Sequence, residues 1–328
     1  MLREFPARPR PRGRLSGFGR PGAAEMERPS PDRLLRFSAA AASVRGECVE
    51  LGAAWQAVLA RHELPPAVGD RLGELIGAAL LLAATIKHDG ALILQLHGDG
   101  PVSLVVVECR SDGSFRATVK LGEAPIADDA DFTSLLNANG RGRCVVTLDG
   151  TSGDTGHTYQ GVVPLDGDSV AEVIERYMSH SEQIPTRLWL AADAGAVRGL
   201  MLQRMPSAGG LAGEVDEDAW PRFTQLAATL EPAELLDTPA EKLLHRLFWQ
   251  ERLAGRDART LRFACRCSRG KVAAMLRMLG RDEVESVLDE QGVVEVRCEF
   301  CNEAWRFDAV DCAALFVEGL APEHPTRQ

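Results

Sequence analysis

The stretch VGDRLGELIGAALLLAATIK, residues 68–87, holds the most apolar run of the chain. Its apolar residues recur at positions i, i+3, i+4 and i+7, the spacing that places side chains on one face of a helix. They are Leu72, Leu75, Ile76, Ala79, Leu80, Ala83 and Ile86. The uninterrupted part, residues 76–86, reaches only about half the length of a bilayer span and is flanked by charges. We therefore predict a helix buried in a protein core rather than a membrane anchor.

Short strands separated by turns follow this helix. Residues 91–123 hold three of them, broken by the turn sequences GDGP and SDG, which indicates an antiparallel meander. RCVVTLD and HTYQGVVPL supply two more strands, a helix is predicted over residues 168–180, and a further hairpin turns at Ala194-Gly195. A shorter helix is predicted upstream, near residues 53–62. The fold class is therefore α+β, with a large antiparallel-sheet core domain over residues 29–206.

The charge of the chain is unevenly distributed. Residues 1–28 carry seven Arg against three Glu, a net +4. The whole chain is −10, so the remaining 300 residues carry −14, which repels phosphate backbones. The first segment has no apolar periodicity, so we predict either a disordered basic arm or residues upstream of a true start at Met26. It lacks the apolar centre of a secretory signal and, with a single Ser, is a poor transit peptide.

At 328 residues the chain exceeds one ordinary domain, and a break in the pattern follows the core. The stretch PSAGGLAGEVDED, residues 206–218, is rich in small residues and acids and predicts a linker. Three short amphipathic helices follow, in WPRFTQLAATL, EPAELL and TPAEKLLHRLFWQE, and we assign residues 207–260 to an acidic and helical linker region. Helices this short are marginal alone, so we expect them to rest on a neighbour.

Residues 261–319 hold five of the eight cysteines and are assigned to a small C-terminal module, followed by a tail over 320–328. Cys265 and Cys267 lie one residue apart in FACRCSRG, before a predicted helix. Cys298 and Cys301 follow after thirty intervening residues, at the turn of a predicted hairpin. Two such pairs can place four thiolates tetrahedrally at about 2.3 Å from a zinc ion. We predict these four cysteines as the ligands of one Zn²⁺ per chain.

The remaining cysteines lie singly in apolar strands or helices. They are Cys48, Cys109, Cys144 and Cys312. The competing interpretations of the four-cysteine pattern, unpaired structural thiols or a secreted disulfide framework, are disfavoured by the spacing and by the absence of a signal sequence. We predict that the four single cysteines are small buried hydrophobic residues.

The C-x-C spacing of Cys265 and Cys267 favours redox chemistry. Residues i and i+2 have Cα atoms no more than about 7 Å apart, so their thiols can pair under oxidant in a tight, readily reduced ring. Zinc holds cysteines as thiolates, which are the oxidisable form. The module can therefore act as a redox switch.

Several stretches together resemble the thirty-three-kilodalton heat-shock chaperone family, the redox-activated holdases of the HslO type, over roughly residues 34–318. They are TIKHDGALILQLHGDGPVSLVVVEC, RATVKL, YQGVVPL, VAEVIERYMSHSEQIPTRLWLAAD, GLMLQRMP, HRLFW and CRCSR…VESVL…VEVRCEFC. The resemblance implies a cytoplasmic, ATP-independent chaperone that is not an enzyme and is silent when reduced and zinc-bound. It implies that oxidation forms the disulfides Cys265–Cys267 and Cys298–Cys301, ejects zinc and unfolds the module and linker. The resulting state would bind unfolded client proteins and form a homodimer.

Two positions depart from the family pattern. Gly270 stands where an acidic residue often follows Ser-Arg, and Asn302 stands where glycine usually follows the second cysteine pair. Because Asn tolerates the left-handed backbone conformation, we expect the turn at Asn302 to survive. Gly270 weakens the start of its helix by about 1 kcal/mol relative to a good helix former.

Two other classes of protein also use cysteine pairs of this kind. A nucleic-acid-binding zinc ribbon needs a basic face, for which Arg262, Arg266, Arg269, Lys271 and Arg277 are candidates, but acids between residues 282 and 303 offset them. A thiol-disulfide oxidoreductase needs a C-x-x-C that opens a helix after a strand, whereas the predicted position of Cys298 and Cys301 is a hairpin turn. We therefore expect no nucleic-acid partner, no membrane partner and no catalytic site.

Overall fold

The computed structural model describes residues 32–39, 43–86, 90–150, 158–206, 216 and 218–317. The predicted basic arm, most of the acidic stretch after residue 206 and the C-terminal tail lie outside the described residues. The strands are β1 (Arg33–Ala39), β2 (Val44–Leu51), β3 (Gly90–His97), β4 (Val102–Arg110), β5 (Ser114–Leu121), β6 (Arg143–Gly150), β7 (Thr158–Pro164), β8 (Thr186–Ala192), β9 (Val197–Arg204), β10 (Ala254–Thr260), β11 (Arg262–Phe263), β12 (Val294–Arg297) and β13 (Ala304–Phe307). The helices are α1 (Ala53–Leu59), α2 (Pro66–Thr85), α3 (Phe132–Leu136), α4 (Val170–His180), α5 (Ala219–Ala227), α6 (Pro232–Asp237), α7 (Ala240–Leu247), α8 (Arg269–Leu279), α9 (Arg281–Gln291) and α10 (Ala309–Leu315).

Two sheets form the core of the described chain. The first has the order β10-β1-β2-β9-β8, and all of its neighbouring strands are antiparallel. The second has the order β11-β5-β4-β3-β6-β7 and is antiparallel except for the short pairing of β11 with β5. The predicted α+β class with a large antiparallel-sheet core is confirmed.

Helix α2, which contains most of the apolar stretch 68–87, lies between the two sheets. Fifteen of its twenty residues are buried, and it contacts β8, β9 and β2 of the first sheet as well as β3, β4 and β5 of the second. A helix that is apolar on most of its circumference needs neighbours on every side. This explains why the apolar run is longer than one amphipathic face requires.

Two glycines bring α2 close to the first sheet. A Cβ at Gly73 would lie 2.5 Å from the Cβ of Ala192 on β8 and 3.0 Å from a methyl group of Val197 on β9. A Cβ at Gly77, one turn later, would lie 3.4 Å from its nearest neighbour, an ordinary van der Waals contact. The approach of the helix to the sheet is therefore closest at Gly73.

The first sheet is buried on both faces. Leu34, Val49 and Met201 point toward α2, whereas Phe37 and Leu200 point to the opposite face. There α5, α6 and α7 cover the strands, and Phe223, Leu243, Leu244 and Phe248 complete a second apolar cluster. The linker helices predicted from the sequence are confirmed, as is the expectation that they rest on a neighbour.

The C-terminal module has a small apolar cluster of its own. Helices α8, α9 and α10 and the hairpin β12–β13 contribute its eight buried residues, among them Leu276, Phe307 and Cys312. The two helices, the hairpin and the closing helix expected here are all present.

Four strands of the structure lie where the sequence patterns predicted none. Strands β1 and β2 were not predicted, and neither were β10 and β11, which run through the predicted division between residues 260 and 261. β10 pairs with β1 and β11 with β5, and Leu261 between them is 3% exposed in the core. The chain therefore stays packed against the core up to Phe263, and the division at residue 261 is not a break in the packing.

Hydropathy agrees with the prediction of a buried helix in place of a membrane anchor. Within the described ranges, no helix combines the length and the apolar character that crossing a membrane requires.

The different space available for a methyl group at Gly73 and Gly77 gives a test of stability. Gly73→Ala forces its new methyl group against Ala192, so we expect it to lower the free energy of unfolding by about 1–3 kcal/mol, the usual range for overpacking. Gly77→Ala is the matched control, since the same methyl group fits there and helix propensity favours Ala over Gly by up to about 1 kcal/mol. Urea unfolding followed by circular dichroism measures both. Equal losses in the two variants would contradict the packing described.

Candidate metal centre

Two local structures, the segment before α8 and the turn between β12 and β13, bring the two cysteine pairs into contact. Cys265 and Cys267 lie in the extended segment between β11 and α8, directly before Ser268, whose side chain accepts a hydrogen bond from the Lys271 backbone N–H and so begins the helix. Cys298 and Cys301 lie at the turn between the antiparallel strands β12 and β13. The hairpin predicted from the sequence is confirmed, and it brings the second pair against the first.

The four sulfur atoms form a compact group. Their Sγ atoms all lie within 4.8 Å of one another. The Sγ atoms of Cys265 and Cys298 are 3.6 Å apart, and those of Cys267 and Cys301 are 3.4 Å apart. A zinc ion at about 2.3 Å from four tetrahedral sulfurs sets them about 3.8 Å apart. The arrangement of the sulfurs therefore fits such an ion, and the all-thiol donor set favours zinc.

A tight turn positions the second pair. Cys298 accepts a hydrogen bond at its carbonyl oxygen from the Asn302 N–H at 2.8 Å, and its own N–H donates to the Glu303 carbonyl at 3.0 Å. Asn302 has φ +58°, in the left-handed region. The expectation that asparagine replaces the usual glycine without loss of the turn is confirmed, because Asn adopts this conformation at small energetic cost.

The thiols of the group differ in acidity. Burial raises the pKa of Cys265, but hydrogen bonds from the Cys267 backbone and from the neighbouring thiols outweigh that effect and lower it to about 7. Burial is the first cause that raises the pKa of Cys267, and it also raises that of Cys301. The shared hydrogen bonds thus concentrate thiolate character on Cys265.

The other four cysteines lie apart from this group. Cys48, Cys109, Cys144 and Cys312 are all buried, and burial raises the pKa of each thiol, that of Cys144 to about 12. Cys312 is 2% exposed and points its sulfur toward the Phe307 carbonyl oxygen, 3.8 Å away. The prediction that these cysteines serve as small buried hydrophobic residues is confirmed by their positions in the apolar clusters.

Basic residues around the cysteines are engaged within the chain. Arg266 pairs with Glu108, Arg262 with Asp112, and Arg269 with Asp311. Lys271 donates to the Arg266 carbonyl oxygen and Arg277 to that of Leu315. These are the five candidates for a nucleic-acid-binding face, and each has an internal partner that competes with phosphate. The geometry gives that alternative no support.

Two strand residues of the core that no sequence pattern indicated contact the cysteine loops. Glu108 on β4 accepts a hydrogen bond from Arg266, and the guanidinium carbon of Arg116 on β5 lies 4.0 Å from the centre of the Phe300 ring. Each sits in an ordinary alternating strand. Only the three-dimensional pairing identifies them, because no spacing in the sequence relates residues 108 and 116 to the cysteines.

The fold and the site together define a class of protein: an α+β core that carries, at its C-terminal end, a small module with four thiols arranged to hold one metal ion. The chain matches the family model described as Hsp33 protein over residues 32–308. It belongs to the Hsp33 family of chaperones.

Individual relatives agree with this assignment. A protein named 33 kDa chaperonin from Chromobacterium violaceum is 44% identical over 286 residues, which covers 87% of this chain and 94% of the relative. Another of that name from Nitrosococcus oceani is 42% identical and covers 90% of this chain and 98% of the relative. A crystal structure of the 33 kDa chaperonin from Thermotoga maritima has a TM-score of 0.74 at 20% identity, over 87% of this chain and 97% of that one, and shows the shared fold.

The site predicts the metal content of the reduced protein. We expect one zinc ion per chain, lost in Cys301→Ser, because three sulfurs cannot complete the tetrahedral set. Cys144→Ala is the control, since Cys144 lies in the core sheet, and it should keep its zinc. Zinc content by atomic absorption measures both variants. A full complement of zinc in Cys301→Ser would contradict the ligand assignment.

Proposed function

We propose that the protein is a redox-regulated, ATP-independent holdase chaperone, silent when reduced and zinc-bound and activated by oxidation. The observation that carries this proposal is the group of four thiols within 4.8 Å in a module that has few other means of staying folded. Membership of the Hsp33 family of chaperones supports the same function. Cys265, Cys267, Cys298 and Cys301 would hold the zinc ion.

The module depends on its metal for stability. Its apolar cluster has eight buried residues, and a core this small rarely stabilises a fold alone. Structural zinc contributes apparent free energies of about 10–16 kcal/mol in small domains. Loss of the ion should therefore unfold the module as a unit.

Oxidation provides the trigger. Formation of the disulfides Cys265–Cys267 and Cys298–Cys301 removes four electrons from four thiolates, and two molecules of hydrogen peroxide accept them with four protons from solvent and become four molecules of water. The sulfurs then no longer hold the ion, because the thiolate is the metal-binding form of cysteine. This pairing rests on the family resemblance alone. The contacts of 3.6 Å and 3.4 Å join Cys265 to Cys298 and Cys267 to Cys301 instead, although every pair among the four sulfurs lies within 4.8 Å.

The linker helices supply the surface for clients. Helices α5, α6 and α7 have nine, six and eight residues, and they cover an apolar face of the first sheet. Phe248 stacks on Phe223 with ring centres 4.7 Å apart and lies 6.1 Å from Phe37 of β1. Removal of these helices uncovers apolar surface on both the sheet and the helices, and such surface binds the exposed apolar segments of unfolded proteins.

A short segment connects the cysteine loops to the linker helices that cover the first sheet. Strand β10 follows the linker helices and pairs with β1, and β11 pairs with β5 over only two residues before Cys265. Unfolding of the module removes the support on one side of both pairings. The two-residue pairing of β11 should open first and leave β10 as a strand at the edge of its sheet, so the loss of metal can spread to the linker.

The remaining properties of the proposal follow the family resemblance. We propose that the oxidised protein forms a homodimer, that it acts in the cytoplasm, and that it binds clients without catalysing a reaction. Binding needs no nucleotide, since the glycines of GTSGDTGH lack both the lysine of a phosphate-binding loop and dinucleotide spacing.

Hydrogen exchange tests the release of the linker. After peroxide treatment we expect faster exchange over residues 220–250, because the helices lose their docked state, and unchanged protection in β3 and β4 of the core. Mass spectrometry of peptides from reduced and oxidised protein measures both regions. Equal acceleration in linker and core would mean that the whole chain unfolds, contrary to the proposal.

Aggregation of a thermally unfolding enzyme tests the function itself. The oxidised protein should suppress light scattering without ATP, whereas the reduced, zinc-bound protein should leave scattering unchanged. Oxidised Cys144→Ala serves as the control, since it retains all four proposed ligands. Equal suppression by the reduced and oxidised forms, or none by either, would refute a redox-regulated holdase.

A further inference from the structure

The residues between the paired cysteines contact one place on the core. Arg266, between Cys265 and Cys267, donates through Nη2 to Oε1 of Glu108. Phe300, between Cys298 and Cys301, lies beneath Arg116, whose guanidinium carbon is 4.0 Å from the ring centre. The two cysteine loops thus contact two neighbouring residues of the second sheet, and the His62 side chain also hydrogen-bonds to the Phe300 backbone.

Those two core residues form a single unit. Glu108 and Arg116 are directly opposite each other in the antiparallel pairing of β4 with β5. Arg116 Nε donates to Glu108 Oε2 at 2.8 Å, and Arg110 lies 3.9 Å from Oε1. Glu108 is 5% exposed, so its charge is largely withdrawn from water. A carboxylate in such surroundings needs its partners, because an unpaired buried charge is strongly unfavourable.

This pair lies on the face of the second sheet that points away from α2. The neighbouring residues Val107 and Cys109 belong to the core between the sheets, and side chains alternate along a strand. The flanking segment is held on the same edge, where Arg61 lies over the Phe263 ring at 4.7 Å and Arg262 pairs with Asp112 at 2.5 Å. The module therefore rests on the core through contacts that converge on the cysteine loops.

We propose that Glu108 and Arg116 are positioning residues that dock both cysteine loops on the core and slow the release of zinc. Opening of the site requires at least one loop, with its two sulfurs, to move away from the two sulfurs of the other loop. Any such movement breaks the Arg266–Glu108 bond or the Arg116–Phe300 contact, and the core sheet holds both. The inference rests on the proposed zinc site, but its test measures metal release and needs no chaperone activity.

Through-space electrostatics and docking make opposite predictions for the rate of zinc release from Glu108→Gln. A zinc ion with four thiolates carries net negative charge, so a nearby carboxylate repels it. If charge alone mattered, Glu108→Gln would favour the metal-bound state and slow its release. Docking predicts faster release, because the amide cannot replace the charged hydrogen bonds to Arg266 and Arg116.

The experiment measures zinc transfer from the reduced protein to a coloured chelator in excess. We expect release from Glu108→Gln and from Arg266→Gln to be about tenfold faster than from the unchanged protein, the lower end expected for losing a hydrogen bond to a charged group. The double variant should be no faster than Glu108→Gln alone, since both changes remove one contact. Phe300 lies outside the core fold, so Phe300→Leu should leave the core intact and also accelerate zinc release. This variant keeps the test valid if Glu108→Gln folds poorly.

Asp112→Asn provides the matched control. It removes an ion pair between the same segment and the same sheet, but Arg262 and Asp112 are both more than half exposed, so release should stay within about twofold. Faster exchange of the amide hydrogens over residues 298–302 in Glu108→Gln, with β3 still protected, would support loss of docking. Unchanged or slower zinc release in Glu108→Gln together with Phe300→Leu, or additive effects in the double variant, would overturn the proposal.

Discussion

Both faces of the five-stranded sheet are apolar, so this sheet is stable only when it is covered twice. One cover is the twenty-residue helix α2, which is fixed between two sheets and brought close to the first by Gly73. The other cover consists of three helices, each shorter than an isolated helix needs to be stable in water. Helix α2 is therefore held on the sheet more firmly than the three short helices are. A chain built this way can uncover one face of a sheet while the other face keeps the core folded.

The C-terminal module follows the three linker helices in the chain. Its apolar cluster is small, and its four thiols lie at distances suited to a metal ion. The linker itself adds polar anchors: Arg33 bridges Glu50 and Glu241, and Glu50 accepts a hydrogen bond from the first N–H of α7. Each of these is a local contact. The four thiols differ because they lie together, so in the proposed function a single chemical change at the sulfurs acts on the whole module at once.

Sequence patterns predicted the parts of this architecture that depend on local spacing. The periodicity of residues 68–87, the turn sequences of the meander and the two cysteine pairs each indicated the element that the structure contains. Three features were beyond such reasoning. Strands β1 and β2 carry buried residues on both faces, so they lack the alternation by which a strand is identified. Strand β11 has two residues, too few for any pattern. Glu108 and Arg116 meet the cysteine loops only through the fold.

Strands β10 and β11 have a consequence for recovery after stress. One run of ten residues, Ala254 to Phe263, closes the edge of the first sheet at β1 and the edge of the second at β5. If this run detaches, both sheets are left with rows of unpaired backbone N–H and C=O groups, which are templates for further strands. An extended client segment and the chain's own detached run would then compete for the same backbone bonds. Re-pairing of residues 254–263 with β1 and β5 on reduction would then also displace the client. The same ten residues would both prevent client binding in the reduced protein and release the client afterwards.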